Sequence, residues 1–437
     1  MSLSSVAEKI VANDSTLSGN TKYDKYYLMR MSFSVLSASE IEAKNRAERT
    51  RAKKPLARRI SFAFVFMALL VSVVLPVWFW TMRAVSILHH VDTKPALLRI
   101  YDHFFDFQYT IRDTFIPGTL GQIEMRVYTP TGARNPAPIV LIHGFAHEGN
   151  KNLYLNALAK HLATVGFFVA IPTVPSASHS EMRASDLQVI GDVVRWTAHT
   201  TGQKVTLFGI SFGGGLVIPA GAQPSASPFV KLIFCFSGYN NLDSIGRYYI
   251  HQHVLDPSGH PYQGHAPGPL AITSPYLSEL VPPQDAAALS PAVRQFDDNE
   301  GRPLPPNDPA MRGLNAKQRQ EWDELQEAST PQIRQLYLRV LTSHRAEIAA
   351  ISPSSVLANL TIPIYILHGS GDIVFPEGEV EWMRQELAHN RDAHILVSPW
   401  IDHVFVGQPA TTWQKLKVLG FCAQIFGRAA HRTPLAK

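Results

Sequence analysis

Alternating strand and helix patterns, short continuous apolar runs and a low charge density predict an α/β fold. Its sheet is mostly parallel and covered on both faces. The 437 residues are 46% hydrophobic and 17% charged, enough for a large core in one elaborated domain or two. The isoelectric point near 9.1 suggests nucleic acid until the charge is located. Residues 1–60 hold twelve Lys/Arg against six Asp/Glu, more than the whole surplus of +5. The basic character therefore belongs to a tail, the remainder is near neutral, and no nucleic-acid partner is expected.

The tail, residues 1–60, is polar and Ser-rich before "SASEIEAKNRAERTRAKK", where Ser37 and Glu40 have capping-box spacing. Residues 61–82, "SFAFVFMALLVSVVLPVWFWTM", carry no charge. At a rise of about 1.5 Å per residue they reach across a hydrocarbon core of about 30 Å. The charged region before them is far longer than that of a cleaved signal peptide, so a single-pass anchor is expected. Trp78 and Trp80 fall where an interfacial belt would lie. Before the run stand Arg46, Arg49, Arg51, Lys53, Lys54, Arg58 and Arg59; the first twenty residues after it hold Arg83, Lys94 and Arg99. The cationic flank marks the cytoplasmic side, which puts the N-terminus in and the C-terminal domain outside the cytoplasm.

Beyond the anchor, "QIEMRVYTP" alternates as a half-exposed strand and "PIVLIHG" is apolar throughout, as a strand covered on both faces is. A helix ("NLYLNALAKHLATVG"), a strand ("FFVAIP"), a helix ("EMRASDLQVIGDVVRWTAHT") and the strands "KVTLFGI" and "VKLIFCF" follow. Much later come "IPIYILHG", "AHILVS" and a helix from about Thr411. Residues 237–355 break the alternation. They are rich in Pro, His and Gly, with helical patterns such as "NAKQRQEWDELQEA", and are too long for a connection. We read them as an inserted cap or lid in a core of 100–236 and 356–430. Cys235 and Cys422 lie in separate apolar segments and read as buried thiols.

The stretch "TLFGISFGGG" carries the chemistry. A Walker loop needs Lys and a hydroxyl residue after its glycines, where Leu216 and Val217 stand, and no acid follows at dinucleotide spacing. What remains is Gly209-Ile210-Ser211-Phe212-Gly213, the G-x-S-x-G turn between strand and helix. Small flanking residues let the turn close with the Ser211 hydroxyl at its tip. "LIHGF" ends an earlier strand, so the backbone N–H groups of Phe145 and Phe212 can form an oxyanion hole. "LHGSGDIVFP" places Asp372 after a late strand, and "SPWIDHVF" places His403 after the last.

With these motifs the sequence resembles the α/β-hydrolase superfamily over roughly residues 100–430, in the form of its dienelactone hydrolase and prolyl-oligopeptidase-like branches. The resemblance implies an eight-stranded, mostly parallel sheet and serine-dependent cleavage of an ester, amide or related acyl bond. Ser211 is then the nucleophile, His403 the base and Asp372 its orienting acid, with no cofactor or metal required. Asp243, soon after the next strand, is a second candidate acid. An acyltransferase using the same triad, or a hydrolase-fold binding protein without catalysis, are the alternatives. A small-molecule or lipid-like acyl compound is the expected substrate. His143 reads as structural, and Asp402 as pointing away from its neighbour His403. In the cap, His251, His253, His260 and His265 are a weak metal candidate, and Arg247 and Tyr249 are expected to face the site.

Overall fold

The computed structural model describes residues 42–43, 46, 78–85, 102–263, 268–299, 303–328 and 330–435. The chain divides into two compact units, Met1–Val73 and Val74–Lys437. In the first, the described residues 42, 43 and 46 are helical. The Ser37–Glu40 capping box and residues 61–77 of the expected membrane span lie outside the described residues. Among the described residues no helix is long and apolar enough to cross a membrane. Residues 78–85 are helical and belong to the second unit. Trp80, expected in an interfacial belt, instead packs on this domain, its ring 6.3 Å from that of Phe167. Buried Arg83 pairs with Asp106, so this segment is fastened to the fold by an ion pair as well as by packing.

The sheet has eight strands in the order β1-β2-β4-β3-β5-β6-β9-β10. They are β1 (Gln108–Gly118), β2 (Gly121–Thr131), β3 (Pro138–Ile142), β4 (Phe168–Pro172), β5 (Val205–Ile210), β6 (Val230–Phe236), β9 (Ile364–Gly369) and β10 (Ala393–Ser398). A small antiparallel ribbon, β7 (His253–Leu255) with β8 (Pro261–Gln263), lies between β6 and β9 in sequence. Only β1·β2 and β2·β4 of the main sheet pair antiparallel. The principal helices are α1 (Leu153–Val165), α2 (Ser185–Thr201), α3 (Phe212–Ala222), α4 (Leu242–His251), α5 (Pro283–Asp298), α6 (Ala316–Glu327), α7 (Pro331–Ser343), α8 (Arg345–Ile351), α9 (Glu377–Glu386) and α10 (Thr412–Ala430).

Successive residues of the central strands point to opposite faces, and both faces are dry. Ile139 and Leu141 of β3 join a cluster with Leu162 of α1 and Phe426 of α10. Val140 and Ile142 join the other, with Val193 of α2 and Leu216 of α3. This explains why the β3 run is uniformly apolar while β2, nearer the edge, alternates. Cys235 and Cys422 are free and buried, one in each cluster, and burial pushes both thiols up to about 12.

The segment between β6 and β9 is mostly helical. Leu289, Trp322 and Tyr337 in α5, α6 and α7 are fully buried in the same cluster as the α2–α3 face of the sheet. The inserted segment thus extends the core instead of resting on it. "TPQIRQLYLRVLTSHRAEIAA" is two helices, α7 and α8, parted at His344.

Candidate active site

The strand order reverses between β3 and β5, and the loops leaving their C-terminal ends open the crevice that such a switch creates. Ile142 of β3 pairs with Gly209 of β5, so "HGF" and the "GISFG" turn emerge side by side. Ser211 sits between β5 and α3 at φ 57° and ψ −126°, a conformation that strains any residue with a Cβ. The turn closes because its neighbours lack one. A Cβ on Gly209 would overlap the carbonyl of Gly213, and a Cβ on Gly213 the carbonyl of His143.

Parallel pairing levels the ends of three strands. Ile210 is opposite Phe236, and Phe236 opposite Leu367. The ladder continues one step past the strands, with Ser211 N–H donating to Phe236 O (2.9 Å) and Ser237 N–H to Leu367 O (2.8 Å). Asp372 follows β9 by three residues and is buried. His403 sits in the turn of a short antiparallel ribbon, β11 (Ile401–Asp402) with β12 (Phe405–Val406), not directly after β10.

These elements bring three of the expected residues into one line. Ser211 Oγ lies 2.8 Å from His403 Nε2, and His403 Nδ1 lies 2.8 Å from Asp372 Oδ2. The other Asp372 oxygen accepts the N–H groups of Val374 and Phe375, each at 2.9 Å. Burial is the largest influence on this carboxyl and pushes its pKa up. His403, His368 and the Phe375 N–H together outweigh it and leave the pKa below its ordinary value. The carboxylate is therefore ionised, and it selects the His403 tautomer that carries its proton on Nδ1 and offers Nε2 to Ser211.

Two residues that sequence reasoning did not reach steady this line. Ser237, at φ 48° and fully buried, donates its hydroxyl to the backbone carbonyl of His403. His368 donates from Nε2 to Phe375 O (2.7 Å), 3.5 Å from Asp372 Oδ2, and burial holds its pKa below the usual histidine value. Neither occupies a recognisable motif. Ser237 is identifiable only once strand pairing sets it beside Ser211.

His143 behaves as a structural residue. Its Nε2 accepts the Val174 N–H (3.0 Å), so Nδ1 carries the proton and donates to Gly144 O (2.6 Å). Burial lowers its pKa and keeps it neutral. The loop it holds packs on Ser211: a Cβ on Gly144 would lie 3.1 Å from Ser211 Cβ. Phe145 and Phe212, whose backbone amides are the expected oxyanion donors, stack with ring centroids 4.0 Å apart. The stack ties the β3 loop to the start of α3, where the Phe212 amide belongs to the unpaired first turn of the helix.

Other candidates lie elsewhere. Asp243 pairs with Arg247 at 2.8 Å, not with His403. Both line a cavity of about 520 Å³ between α4 and α9, whose walls include none of Ser211, Asp372 and His403. Arg247 therefore does not face the triad, because an acid one helical turn away holds it. Tyr249 is buried; burial first, and then the charge of Asp372, push its phenol well above the ordinary range. Asp402 accepts from Gln408 Nε2 (3.2 Å). His251 and His253 face each other with centroids 6.0 Å apart, His260 packs on Tyr262, and His265 lies outside the described residues. Among the described residues no three His, Cys, Asp or Glu are grouped to hold a metal.

Residues 121–405, well over half of the chain, match the X-Pro dipeptidyl-peptidase (S15 family) profile. The chain belongs to the X-Pro dipeptidyl-peptidase S15 family. The fold and this S15 membership place it in the α/β-hydrolase superfamily, as the motifs led us to expect. No curated protein matches it in sequence. Solved structures resemble it at low identity. An esterase from Pyrococcus furiosus has 10% identity and TM-score 0.41, covering 74% of this chain and 92% of that one. An esterase from Pyrobaculum calidifontis has 18% identity and TM-score 0.40, covering 77% and 90%. The acylaminoacyl peptidase of Pyrococcus horikoshii has 10% identity and TM-score 0.38, and the alignment covers 75% of this chain but 41% of that one.

Proposed function

We propose that the chain is a serine hydrolase that cleaves carboxylic ester or related acyl bonds through an acyl-enzyme on Ser211. The observation that carries this reading is the unbroken line from Ser211 Oγ through both nitrogens of His403 to Asp372, with 2.8 Å at each join. A free serine hydroxyl is a weak nucleophile. As Oγ bonds to the substrate carbonyl carbon, its proton passes to His403 Nε2, and the carbonyl electron pair moves onto oxygen. The Phe145 and Phe212 amides receive that oxyanion, and removing such a donor typically costs about 3 kcal/mol of barrier. Collapse expels the leaving group, which takes the proton from Nε2. Water then repeats the sequence on the acyl-enzyme, releasing the acid and restoring Ser211.

The decisive experiment is labelling of the full chain with a fluorophosphonate, followed by ester turnover. The Ser211→Ala variant should lose all labelling and about 10⁴- to 10⁶-fold in kcat. Labelling retained in that variant removes Ser211 from the mechanism. A second reading has a specific support. The S15 match favours an amide bond after an Xaa-Pro dipeptide, to which the same triad applies. Comparing p-nitrophenyl esters with Ala-Pro-p-nitroanilide separates the two by kcat/KM.

We also propose that residues 61–77, the part of the uncharged run that precedes the helix packed on the catalytic domain, anchor the protein in a bilayer, with the N-terminus cytoplasmic and the catalytic domain on the far side. The uncharged run and the cationic flank before it support this. Protease added to intact cells or spheroplasts should digest the domain and spare the first sixty residues; protection of the domain in both until lysis reverses the orientation.

A further inference from the structure

We propose that Tyr154 and Phe405 form an apolar ledge that binds the leaving group of the substrate, so that the enzyme favours esters of apolar alcohols. This rests on the serine-hydrolase reading above. The argument begins from the proton. The leaving-group oxygen must take its proton from His403 Nε2, so it departs within hydrogen-bond reach of that nitrogen, on the flank of the cleft that His403 borders. The turn that carries His403 also carries Phe405, paired across it with Asp402.

Phe405 is 45% exposed, and its ring meets Tyr154 edge to face, with centroids 6.1 Å apart. Tyr154 and Leu153 begin α1, directly after the loop that supplies Phe145, and are 72% and 83% exposed. Two large apolar side chains, Tyr154 and Phe405, thus meet in the open where one element bearing the proton donor touches another leading from the oxyanion loop. The platform beneath them is fixed. Asn152 caps α1 by accepting the Leu155 N–H (3.1 Å), and buried Asn156 donates to the carbonyls of Asn150 (2.8 Å) and Asn152 (2.7 Å). Exposed apolar surface on a rigid base loses water on contact with a hydrocarbon chain and needs no ordering of its own.

The test holds the chemistry constant and moves the hydrocarbon. Methyl acetate and n-hexyl acetate form the same acyl-enzyme and release alcohols of similar acidity, whereas methyl heptanoate carries a long chain on the acyl side. For the full chain, kcat/KM for hexyl acetate should exceed that for methyl acetate by about tenfold or more. Tyr154→Ala combined with Phe405→Ala should bring that ratio within about threefold of unity, while the ratio of methyl heptanoate to methyl acetate holds. Phe405→Leu, which keeps an apolar side chain beside His403, should retain most of the preference. Ratios cancel any general damage to His403. A wild-type ratio near one, or equal loss on hexyl acetate and methyl heptanoate, overturns the ledge and leaves the serine-hydrolase reading standing. Absence of turnover on all three esters, with no fluorophosphonate labelling, sinks both.

Discussion

Two carboxylates seven residues apart, on the segment that follows β9, are both buried and meet opposite fates. Asp372, on the side of the loop facing His403, is held below its ordinary pKa. Glu379, at the start of α9, is fully buried and pushed up to about 7. Glu379 is not short of hydrogen bonds. It accepts the N–H groups of Asn240 (3.0 Å) and Asn241 (2.8 Å) and the Ser244 hydroxyl (2.7 Å), closing the N-terminus of α4 from outside. Those donors are neutral, and burial outweighs them; the nearby Glu386 charge adds to the rise. Asp372 has two imidazoles as well as backbone donors. The difference teaches that burial alone does not set the state of an acid: around Asp372 the imidazoles and the Phe375 N–H outweigh it, and around Glu379 three neutral donors do not. The triad side of the loop is built for charge, and the α4–α9 side for shape.

Removing the charged side of this contrast should have the largest effect. Asp372→Asn keeps the shape but cannot stabilise an imidazolium at His403, and should lower kcat by about 10⁴-fold. Asp243→Asn, on the α4–α9 side, should stay within about twofold of wild type, since its exposed pair with Arg247 contributes little. The reverse ranking, read from ester turnover, would move the orienting acid across the loop.

Ser237→Ala tests whether geometry matters as much as charge on the triad side. The His403 carbonyl loses the Ser237 hydroxyl. We expect kcat to fall by about tenfold with KM little changed, because a misaligned Nε2 weakens proton transfer and not binding. A raised KM with kcat unchanged would show that this bond does not act through proton transfer at His403.

The smallest effect, on stability alone, belongs to Glu379. Below its ordinary value of 4.5 the carboxyl is protonated in both the folded and unfolded chain. Between 4.5 and about 7 the unfolded chain ionises first, so stability falls as pH rises, and the loss is complete above about 7. Glu379→Gln removes that dependence, since its amide oxygen can accept the two N–H groups while Ser244 reverses its hydroxyl. At about 1.4 kcal/mol per pH unit, the variant should gain up to about 3 kcal/mol relative to wild type between pH 5 and pH 8 in denaturant titrations. A wild-type stability independent of pH across that interval would show Glu379 to be ionised like Asp372.

The sequence by itself determined the alternating architecture, the Ser211 turn and the residue types and order of Ser211, Asp372 and His403. Those features are local: an apolar run marks a strand, and glycines at 209 and 213 mark a turn that excludes a Cβ. The edge strand β1, with its mixed exposure, gave no comparable signal, and neither did the ribbon that carries His403, whose strands are two residues each. The sequence favoured Asp372 but left Asp243 open, and tertiary structure closed that choice, because the pairing of β5, β6 and β9 levels three loops that lie far apart in the chain. Tertiary structure also decided that Ser237 holds His403 and that the cap continues the core. Each depends on which surfaces meet, and burial is settled by neighbours distant in sequence.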